Sequence, residues 1–467
     1  METNALLKFE ELRGAGFTAL PCGDNAPDFF TNVCIDSRKA QAGSLFFALK
    51  GERADGHNFV PDAVKAGAAG VVIEKNKSDV LKNINAKISI IYADDTLAAL
   101  QKIAALYVSK FDTLFKIGIT GSSGKTTVKE ICASIFAREK NIVYNEGNLN
   151  SDSGLPLSVF NIRKEHETGI FEMGMNRRGE MAEIAAVLKP DAALITNIGS
   201  AHIGIIGSLE NIAREKKDIS IKFTGNETLF VPDNVPFPDI FKNEVQGNVI
   251  FYNTLETFTG KVESLGLEGS VIHWDGRKAR FPLPGKHNAE NAIAAIALAR
   301  WSGISGGAVA AGLEAVKPLF GRAQALEAQT KAGLRYMLVR DCYNANPASM
   351  EKALLMCDEL QAADGGKYPQ KIYIIGAMRE LGAETESEHR RLGERLSASG
   401  ADAVFLFGEE TEVTAAHMAE CAAKMYMYQT NDIDALIKNV RAVLRTGALI
   451  LLKGSRSCEL ERVEKGL

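Results

Sequence analysis

The sequence predicts an α/β fold of three domains. The chain has 467 residues, more than one hydrophobic core usually organises, and about 150 residues per domain is typical. Apolar strand-like runs alternate with segments of helical periodicity along most of the chain, as in parallel sheets covered by helices. We therefore expect a small N-terminal α/β domain (residues 1–110), a central parallel sheet with its helices (111–317) and a Rossmann-like C-terminal domain (318–467).

Composition and charge exclude several classes of protein. Apolar residues make up 46% and charged residues 24% of the chain, as in ordinary globular proteins. The net charge of −4 provides no basic surface for nucleic acid. The first residues carry charges where a signal peptide needs an apolar segment, and no run of about 18 apolar residues occurs, so we expect neither export nor membrane insertion. The seven cysteines show neither zinc-ligand nor disulfide spacing, so we expect a cytoplasmic protein. We also expect a monomer.

The first two domains are predicted from short apolar runs and the helical segments between them. In the N-terminal domain the strand-like runs are SLFFALKG, GVVIE and ISIIYA. In the central domain they are LFKIGIT, GIFEMG and AALITNIG, separated by helical segments such as TTVKEICASIFAREK and RGEMAEIAAVLK. Polar and aromatic runs between about 225 and 282, such as VIHWDGRKARFPL, predict antiparallel strands added to the central sheet.

The third domain is predicted from four further strand-like runs separated by helices. These runs are YMLVRDCY, KIYIIGAM, AVFLFG and ALILLKGS. Pro318 and Gly321 precede them and make residues 316–322 the predicted hinge between the second and third domains.

The segment GITGSSGKTT predicts a phosphate-binding loop, or P-loop, between a strand and a helix. The usual pattern has a glycine where Ile119 stands, so the loop is shorter than the standard one. Gly121 and Gly124 allow backbone N–H groups to converge on an anion, Lys125 adds a full charge, and Thr126 offers a hydroxyl to Mg²⁺. The alternative is a glycine turn with a solvated lysine. The predicted nucleotide-binding residues of the loop are Gly121, Ser122, Ser123, Gly124, Lys125, Thr126 and Thr127.

Further motifs follow the loop in a characteristic order. They are NEGNLNSDSGLPLSV, FEMGMNRRGEM, TNIGSAHIGIIGSLENIAREK, GKHNAENAIAA, DCYNANPASM and LLKGSRS. With these motifs nearly the whole chain resembles the Mur ligases, which are ATP-dependent amide-forming enzymes of peptidoglycan synthesis. It is most similar to the branch that joins D-alanyl-D-alanine to UDP-N-acetylmuramoyl-tripeptide. The enzyme that adds the third peptide residue instead shows segments like D-Y-A-H-T-P and D-N-P-R, neither of which is present here.

The resemblance implies a chemistry and a set of catalytic residues. A peptide carboxylate attacks the γ-phosphate of ATP, and an incoming amine then attacks the acyl phosphate, so charge neutralisation should dominate catalysis. Lys125 would bridge the β- and γ-phosphates, and Thr126 and Glu172 would bind Mg²⁺. His202 matches a family histidine that contacts a second Mg²⁺, and Lys216 matches a lysine that becomes carbamylated and also helps to bind the metal. Taken alone, Glu172 could be a surface carboxylate, His202 a structural histidine and Lys216 part of a solvated charge run.

The resemblance also assigns nucleotide and substrate contacts. Asn288 and Asn291 share a helix face that touches the adenine side of ATP in the family, although Asn288 alone could be a helix N-cap. Arg322 matches an arginine that reaches the ATP phosphates. The third-domain residues expected to serve the ATP ribose, the incoming dipeptide or a substrate anion are Asp341, Tyr343, Asn344, Asn346, Lys453, Ser455 and Arg456, with an ordinary turn as the alternative for the last three.

The N-terminal segment DSRKAQAGSLFFALKG matches the part of the family that holds the uridine diphosphate end of the substrate. Ser37 and Arg38 would supply its hydrogen-bond donors. Two departures concern the substrate side: Gly204 stands where the family often has a glutamate, and Ser151 and Ser153 replace commoner asparagine and isoleucine.

Two other functions remain open at this point. One is another Mur-type amide ligase, such as the tripeptide-forming enzyme or a folate polyglutamate ligase, against which the segment Asp341–Met350 argues. The other is a nucleotide-binding protein without catalysis, which would not need Glu172, His202 and Lys216 together.

Overall fold

The computed structural model describes residues 5–22, 27–51, 54–82, 84, 87–363, 368–421 and 425–467. Within these residues, three sheets of five or six strands follow one another along the chain, and helices cover them. The predicted α/β class is therefore confirmed. The domain boundaries at residues 110 and 317 stay a prediction.

The N-terminal part forms a five-stranded mixed sheet. Its elements are β1 (Leu7–Lys8), α1 (Phe9–Gly14), β2 (Thr18–Cys22), β3 (Phe29–Phe30), β4 (Asn32–Cys34), β5 (Ser44–Phe47), α2 (Val60–Lys65), β6 (Gly70–Glu74), β7 (Ile88–Ala93) and α3 (Thr96–Val108). The order across the sheet is β2-β7-β6-β5-β4, in which only β2 is antiparallel to its neighbour. β1 and β3 form a separate two-stranded ribbon.

The central part is built on a six-stranded parallel sheet. Its first elements are β8 (Phe115–Thr120), α4 (Lys125–Phe136), β9 (Ile142–Tyr144), α5 (Gly154–Val159), β10 (Thr168–Glu172), α6 (Glu180–Leu188) and β11 (Ala192–Ile195). They continue with α7 (Ile203–Ile206), α8 (Leu209–Lys217), β12 (Thr228–Pro232), α9 (Pro238–Glu244) and β13 (Asn248–Tyr252). The order is β13-β12-β11-β8-β10-β9, with every pair parallel, so the carboxyl ends of all six strands lie at one edge.

The prediction that antiparallel strands extend the central sheet is wrong. The two strands added there, β12 and β13, are parallel. The antiparallel strands β14 (Lys261–Ser264), β15 (Ser270–Trp274) and β16 (Arg277–Phe281) form a separate three-stranded sheet. Asp275 and Gly276 at its hairpin turn both have positive φ, as a tight two-residue hairpin requires. Its alternate apolar residues pack in one core with α4 and the helices α10 (Lys286–Trp301) and α11 (Gly306–Glu314). The small sheet therefore covers these helices and does not extend the central sheet.

The third part has a six-stranded sheet with one antiparallel edge strand. Its elements are β17 (Gln324–Gln329), β18 (Arg335–Asp341), α12 (Pro347–Ala363), β19 (Lys371–Gly376), α13 (Thr385–Ser397), β20 (Ala403–Phe407), α14 (Thr411–Glu420), β21 (Tyr426–Thr430), α15 (Ile433–Val443), β22 (Ala448–Lys453) and α16 (Glu461–Gly466). The order is β17-β18-β22-β19-β20-β21, with β17 antiparallel to β18. The four predicted strands are present, whereas β17 and β21, which are more polar, were not predicted.

Hydrophobic cores lie on both faces of these sheets. One core joins the N-terminal part to the central part, where α3 packs against α5 and α6. A second lies on the opposite face of the central sheet, and two more cover the faces of the third sheet. Strands β19, β20 and β22 are buried on both faces, which explains their continuous apolar runs. Across the described ranges, no helix combines the length and apolar character required to cross a membrane.

The contact between α4 and α11 depends on a glycine, and this gives a test of the fold. A Cβ atom at Gly312 would lie 2.4 Å from the Ile135 Cα atom of α4. We expect Gly312→Ala to destabilise the protein by roughly 1–3 kcal/mol, because overpacking outweighs the helix propensity of alanine. The midpoint of urea unfolding measures this change.

Gly307 of the same helix is the matched control. The nearest atom to its Cβ position is the Ser305 side-chain oxygen at 3.9 Å, an ordinary contact. Gly307→Ala should therefore leave the free energy of unfolding unchanged or raise it by up to about 1 kcal/mol, so the midpoint should stay the same or rise. Equal midpoints for the two variants would contradict the proposed packing of α11 on α4.

Candidate active site

The loop between β8 and α4 is held in shape by glycines and by the neighbouring strand β11. Gly124 has φ 80°, and a Cβ atom there would lie 2.5 Å from Asn291 Oδ1. A side chain at Gly121, where φ is 150°, would likewise collide with Thr196. The Ser123 N–H donates to Asn197 Oδ1 at 3.1 Å. The loop therefore needs glycine at both motif positions, as the P-loop pattern requires.

Lys125, the first residue of α4, closes over the loop. Its Nζ donates to the Gly121 carbonyl oxygen at 2.8 Å. Burial lowers the pKa of Lys125, the Glu172 carboxylate raises it, and the Arg322 charge lowers it further. An anion in the loop would stabilise the partly buried ammonium, and the backbone N–H groups and the helix N-terminus favour negative charge at the same place.

Glu172 ends β10 and lines the same cleft, and one of its carboxylate oxygens has no hydrogen-bond partner among the described residues. Its side chain is 2% exposed, and Asn150 Nδ2 donates to Oε1 at 2.7 Å. The other oxygen, Oε2, is buried with no hydrogen-bond partner among the described residues. A buried carboxylate oxygen without a partner is costly, so this atom is suited to a cation.

Asn145 holds the backbone at Glu172 in place. Its Nδ2 donates to the Glu172 carbonyl oxygen at 2.9 Å, and the Glu172 N–H donates to its Oδ1 at 2.8 Å. Lys129 of α4 is fully buried, and its Nζ donates to the Asn145 carbonyl oxygen at 2.7 Å. These bonds join the helix that carries the loop to the strand that carries Glu172.

The third sheet contributes charged groups from the ends of β18 and β22. Asp341 and Lys453 form an ion pair at 3.0 Å, and Lys453 Nζ also donates to the Asn344 carbonyl oxygen at 2.8 Å. The Arg322 guanidinium lies over the Tyr343 ring, 4.4 Å from its centroid. The carboxyl ends of strands from two sheets therefore face each other.

One cleft of about 210 Å³ brings most of the predicted site together. The predicted residues that line it are Ser122, Ser123, Gly124, Lys125, Thr126, Thr127, Glu172, Asn288, Asn291, Arg322, Asp341, Tyr343, Asn344, Asn346 and Lys453. A second cavity of about 300 Å³ shares Asn291 and Lys352 with the cleft and lies beyond the ends of β11, β12 and β13. Together they offer an extended space at the edge of the central sheet.

Asn288 and Asn291 lie on one face of α10, as predicted. The helix begins at Lys286, and its N-cap residue is Gly285 rather than Asn288. Asn288 Nδ2 donates to the Pro284 carbonyl oxygen at 2.8 Å, and Asn291 Nδ2 donates to Asn288 Oδ1 at 3.3 Å. The pair thus fixes the helix start and leaves polar atoms at the cleft.

His202 and Lys216 lie outside the lining of the cleft but close to Lys125. Burial and the charges of Lys125 and Lys216 lower the pKa of His202 to about 4. Burial and Lys125 lower the pKa of Lys216 well below its usual value, and this side chain is 1% exposed. The adjacent Glu215 is engaged elsewhere, because it accepts from the Gly179 and Met181 N–H groups at 2.9 and 3.1 Å.

The donor set fits a divalent cation bound together with phosphate. Within the described ranges, no group of three or more His, Cys, Asp and Glu side chains is placed to hold a metal ion. Glu172 Oε2 is nevertheless buried without a hydrogen-bond partner among the described residues, and Thr126 and Glu172 line the same cleft. Mg²⁺ usually takes one or two protein oxygens and completes its shell with water and substrate phosphates, so a sparse set suits it.

Three predicted substrate residues lie apart from the cleft. Ser37 and Arg38 belong to a short 3-10 helix of the N-terminal part, where Arg38 is largely exposed and pairs with Asp36 at 2.7 Å. Ser455 is buried, and its Oγ accepts from the Arg379 N–H at 3.0 Å. Neighbouring Arg456 pairs with Glu461 at 2.6 Å.

Sequence reasoning missed several residues of the cleft. Asn148 and Asn150 stand in a quoted motif, NEGNLNSDSG, and His287 precedes the predicted Asn288, so their signal was present. Ser349 and Lys352 lie on α12 and reach the cleft through the packing of the third part, which no local pattern reveals. The missed lining residues are Asn148, Asn150, His287, Gly321, Ala323, Ser349 and Lys352.

Three family models match the chain in succession. The Mur ligase family catalytic domain matches residues 30–108, the Mur ligase middle domain matches 119–299, and the Mur ligase glutamate ligase domain matches 321–456. Together they follow the N-terminal, central and third parts of the structure.

Whole proteins and solved structures agree with these matches. The UDP-N-acetylmuramoyl-tripeptide–D-alanyl-D-alanine ligase of Treponema pallidum (strain Nichols) is 41% identical over 464 residues, covering 98% of both chains. A crystal structure of MurF from Acinetobacter baumannii has a TM-score of 0.83 at 29% identity and covers 98% of this chain and 97% of that one. The MurF ligase of Thermotoga maritima in complex with ADP has a TM-score of 0.77 at 26% identity, covering 93% and 96%. Because the likeness runs along nearly the whole of these chains, this chain belongs to the Mur ligase family.

Proposed function

We propose that this Mur ligase joins D-alanyl-D-alanine to UDP-N-acetylmuramoyl-tripeptide in an ATP-dependent reaction. The observation that carries the proposal is one cleft in which the P-loop, the unpartnered oxygen of Glu172 and the strand ends of the third part meet. The 41% identity to a protein named for this reaction supports the choice of substrates.

The proposed reaction has two steps. A carboxylate oxygen of the tripeptide attacks the γ-phosphorus of ATP, so that an acyl phosphate forms and ADP leaves. The amine of D-alanyl-D-alanine then attacks the acyl carbon, phosphate leaves, and the nitrogen gives up a proton as the amide forms. Both steps gather anions, so the chain must supply positive charge and hydrogen-bond donors.

The P-loop would hold the phosphates of ATP. The N–H groups of Gly124 to Thr127 lie at the start of α4 and favour anions, while the partly buried Lys125 ammonium would turn from the Gly121 carbonyl to the β- and γ-phosphates. Arg322, stacked on Tyr343, would reach the phosphates from the opposite wall. The ammonium and guanidinium would be neutralised only when the nucleotide is present.

Thr126, Glu172 and His202 would hold Mg²⁺ together with a carbamylated Lys216. Bound Mg²⁺ would neutralise the charge of the phosphate oxygens and orient the γ-phosphate. Thr126 and Glu172 line the cleft, whereas His202 lies outside its lining and would serve a second ion.

Lys216 has the surroundings that carbamylation requires. The reaction needs the neutral amine, whose nitrogen attacks CO₂, forms an N–C bond and releases a proton. Burial and the charge of Lys125 lower the Lys216 pKa and so raise the neutral fraction at physiological pH. The product is an anion, which would balance the positive charge that now depresses the pKa.

The remaining subsites follow from the position of each residue. Asn288 lines the cleft and Asn291 lines both the cleft and the second cavity, so we place the adenine there, with Asp341 near the ribose. The dipeptide would meet the wall formed by Tyr343, Asn344, Asn346 and Lys453. Ser37 and Arg38 would bind the uridine diphosphate end, and Ser455 would act by fixing the Arg379 backbone.

The cytoplasmic location and the monomeric state stay predictions from the sequence.

The alternatives have less support. A tripeptide-forming or folate polyglutamate ligase would share the ATP site, but the segment Asp341–Met350 and the names of the most similar proteins favour the dipeptide ligase. A protein that only binds nucleotide has no need of Glu172, His202 and Lys216 together.

A phosphate-release assay tests the proposed function. We expect steady release only when ATP, Mg²⁺, UDP-N-acetylmuramoyl-tripeptide and D-alanyl-D-alanine are all present, because the acyl phosphate turns over only when the amine arrives. Parallel reactions contain the UDP-dipeptide with diaminopimelate or lysine, and folate with glutamate. Equal rates without the dipeptide, or faster turnover in a parallel reaction, would overturn the proposal.

Substitution of Lys216 tests the carbamate. We expect Lys216→Ala to reduce turnover by roughly a hundredfold or more, because one stabilising charge at the reacting phosphate is lost. Formate or acetate should restore part of the rate by replacing the anion.

Lys217→Ala is the matched control for that experiment. Lys217 pairs with Asp218 at 3.1 Å and Glu244 at 3.4 Å and should be dispensable for turnover. Full turnover in the Lys216 variant, or a loss confined to the Lys217 variant, would refute the assignment of the carbamate to Lys216.

A further inference from the structure

A loop of the third part packs directly on the helix that follows His202. The loop continues from β19 to a 3-10 helix at Gly382–Glu384, and α7 begins at Ile203. A Cβ atom at Gly204 would lie 2.7 Å from the Leu381 carbonyl oxygen, and one at Gly382 would lie 3.0 Å from Gly204 Cα. Only glycine at position 204 allows the loop to approach this closely.

This contact places a carboxylate beside the His202 ring. Glu380 Oε2 lies 3.7 Å from His202 Nδ1, within ion-pair range. The Nδ1 atom is buried and has no hydrogen-bond partner among the described residues. Glu380 itself is 64% exposed at its side chain, so it approaches from the solvent side of the histidine.

Two buried carboxylates of the central part, Glu172 and Glu215, form neither an ion pair nor a hydrogen bond with His202. Glu172 Oε1 accepts from Asn150, and Glu172 lines the cleft. Glu215 accepts two backbone N–H groups at the start of α6. Within the described ranges, Glu380 is the carboxylate that forms an ion-pair contact with His202.

The backbone conformations of both residues are unusual. His202 and Glu380 each have φ 65°, a left-handed conformation that non-glycine residues seldom adopt. The Met378 and Arg379 N–H groups are anchored to His389 Nε2 and Ser455 Oγ, which holds the loop just before Glu380. Strained residues of this kind persist where surrounding bonds enforce them, and they concentrate at functional sites.

We propose that Glu380 is a positioning residue that accepts the Nδ1–H of His202 and so orients the ring with Nε2 toward the metal site. A histidine that binds a metal through one ring nitrogen commonly donates from the other to a carboxylate, which fixes its tautomer and orientation. The inference rests on the proposed function, because His202 acts there as a Mg²⁺ ligand. The 3.7 Å separation shortens to hydrogen-bond length in the loaded enzyme, as active-site contacts commonly do.

The proposal links the metal site to the docking of the third part. Glu380 lies in the loop after β19, a strand of the sheet that also carries Asp341 and Lys453, whereas His202 belongs to the central part. The ring is therefore held in its metal-binding orientation only while the two parts are in contact. A solvated surface carboxylate with no influence on His202 is the alternative, and it predicts no effect on the metal.

Metal affinity of the full-length protein separates these two possibilities. Mn²⁺ serves as the probe, and free Mn²⁺ is measured by electron paramagnetic resonance in the presence of ADP. We expect Glu380→Ala to weaken Mn²⁺ binding about tenfold or more, and Glu380→Gln, which keeps an acceptor oxygen, to recover part of the loss. Glu386→Ala, an exposed carboxylate of the following helix, is the matched control and should bind Mn²⁺ as the wild type does.

A second background shows whether Glu380 acts through the histidine. In a His202→Asn protein, Glu380→Ala should cause no further loss of Mn²⁺ affinity. Gly204→Ala, which keeps the carboxylate but pushes the loop away, should weaken Mn²⁺ binding in the same direction as Glu380→Ala. The unfolding temperature of each variant identifies any general loss of structure.

The outcomes are distinct. Unchanged Mn²⁺ affinity in Glu380→Ala, an equal loss in Glu386→Ala, or the full loss in the His202→Asn background would each overturn the role of Glu380. A wild-type protein that binds no Mn²⁺ with ADP and releases no phosphate would instead overturn the proposed function itself.

Discussion

An unpartnered carboxylate oxygen at the end of a buried strand is the constraint on which the centre of this protein depends. Glu172 is 2% exposed, and its Oε2 has no hydrogen-bond partner among the described residues. Asn145 fixes its backbone on both sides and Asn150 holds its other oxygen, so it cannot turn away. Such a group is stable only if positive charge is near, and Lys125 together with a ligand-borne cation would meet that requirement.

The basic side chains near the cleft complement the Glu172 carboxylate. Burial and the charge of Lys125 lower the pKa values of both His202 and Lys216, and the charge of Lys216 lowers the pKa of His202 further. Arg322 adds to the effect on Lys125 from the third part. A nucleotide's phosphates and a carbamate at Lys216 would relieve this repulsion. The site is therefore electrostatically incomplete by itself and complete with its anionic ligands.

The two halves of the cleft are joined by contacts outside it. Lys286 and Glu359 form an ion pair at 2.6 Å between α10 and α12, and a Lys352–Glu290 pair at 3.6 Å joins the same helices. The close approach of Gly204 and Gly382 provides a second contact. Exposed ion pairs contribute little stability each, so these two pairs add little to the stability of the joined arrangement. A ligand that contacts both parts would favour the joined arrangement.

By itself the sequence determined the α/β class and the P-loop, because apolar periodicity and glycine spacing are local properties, and its resemblance to the Mur ligases indicated most of the residues that line the cleft. It did not determine the separate antiparallel sheet, which depends on which helices its apolar face covers. Nor did it show that Ser349 and Lys352 of α12 reach the cleft, or that Glu380 meets His202. Those placements depend on how one part of the chain docks on another, and that docking arises from long-range contacts which no short segment encodes.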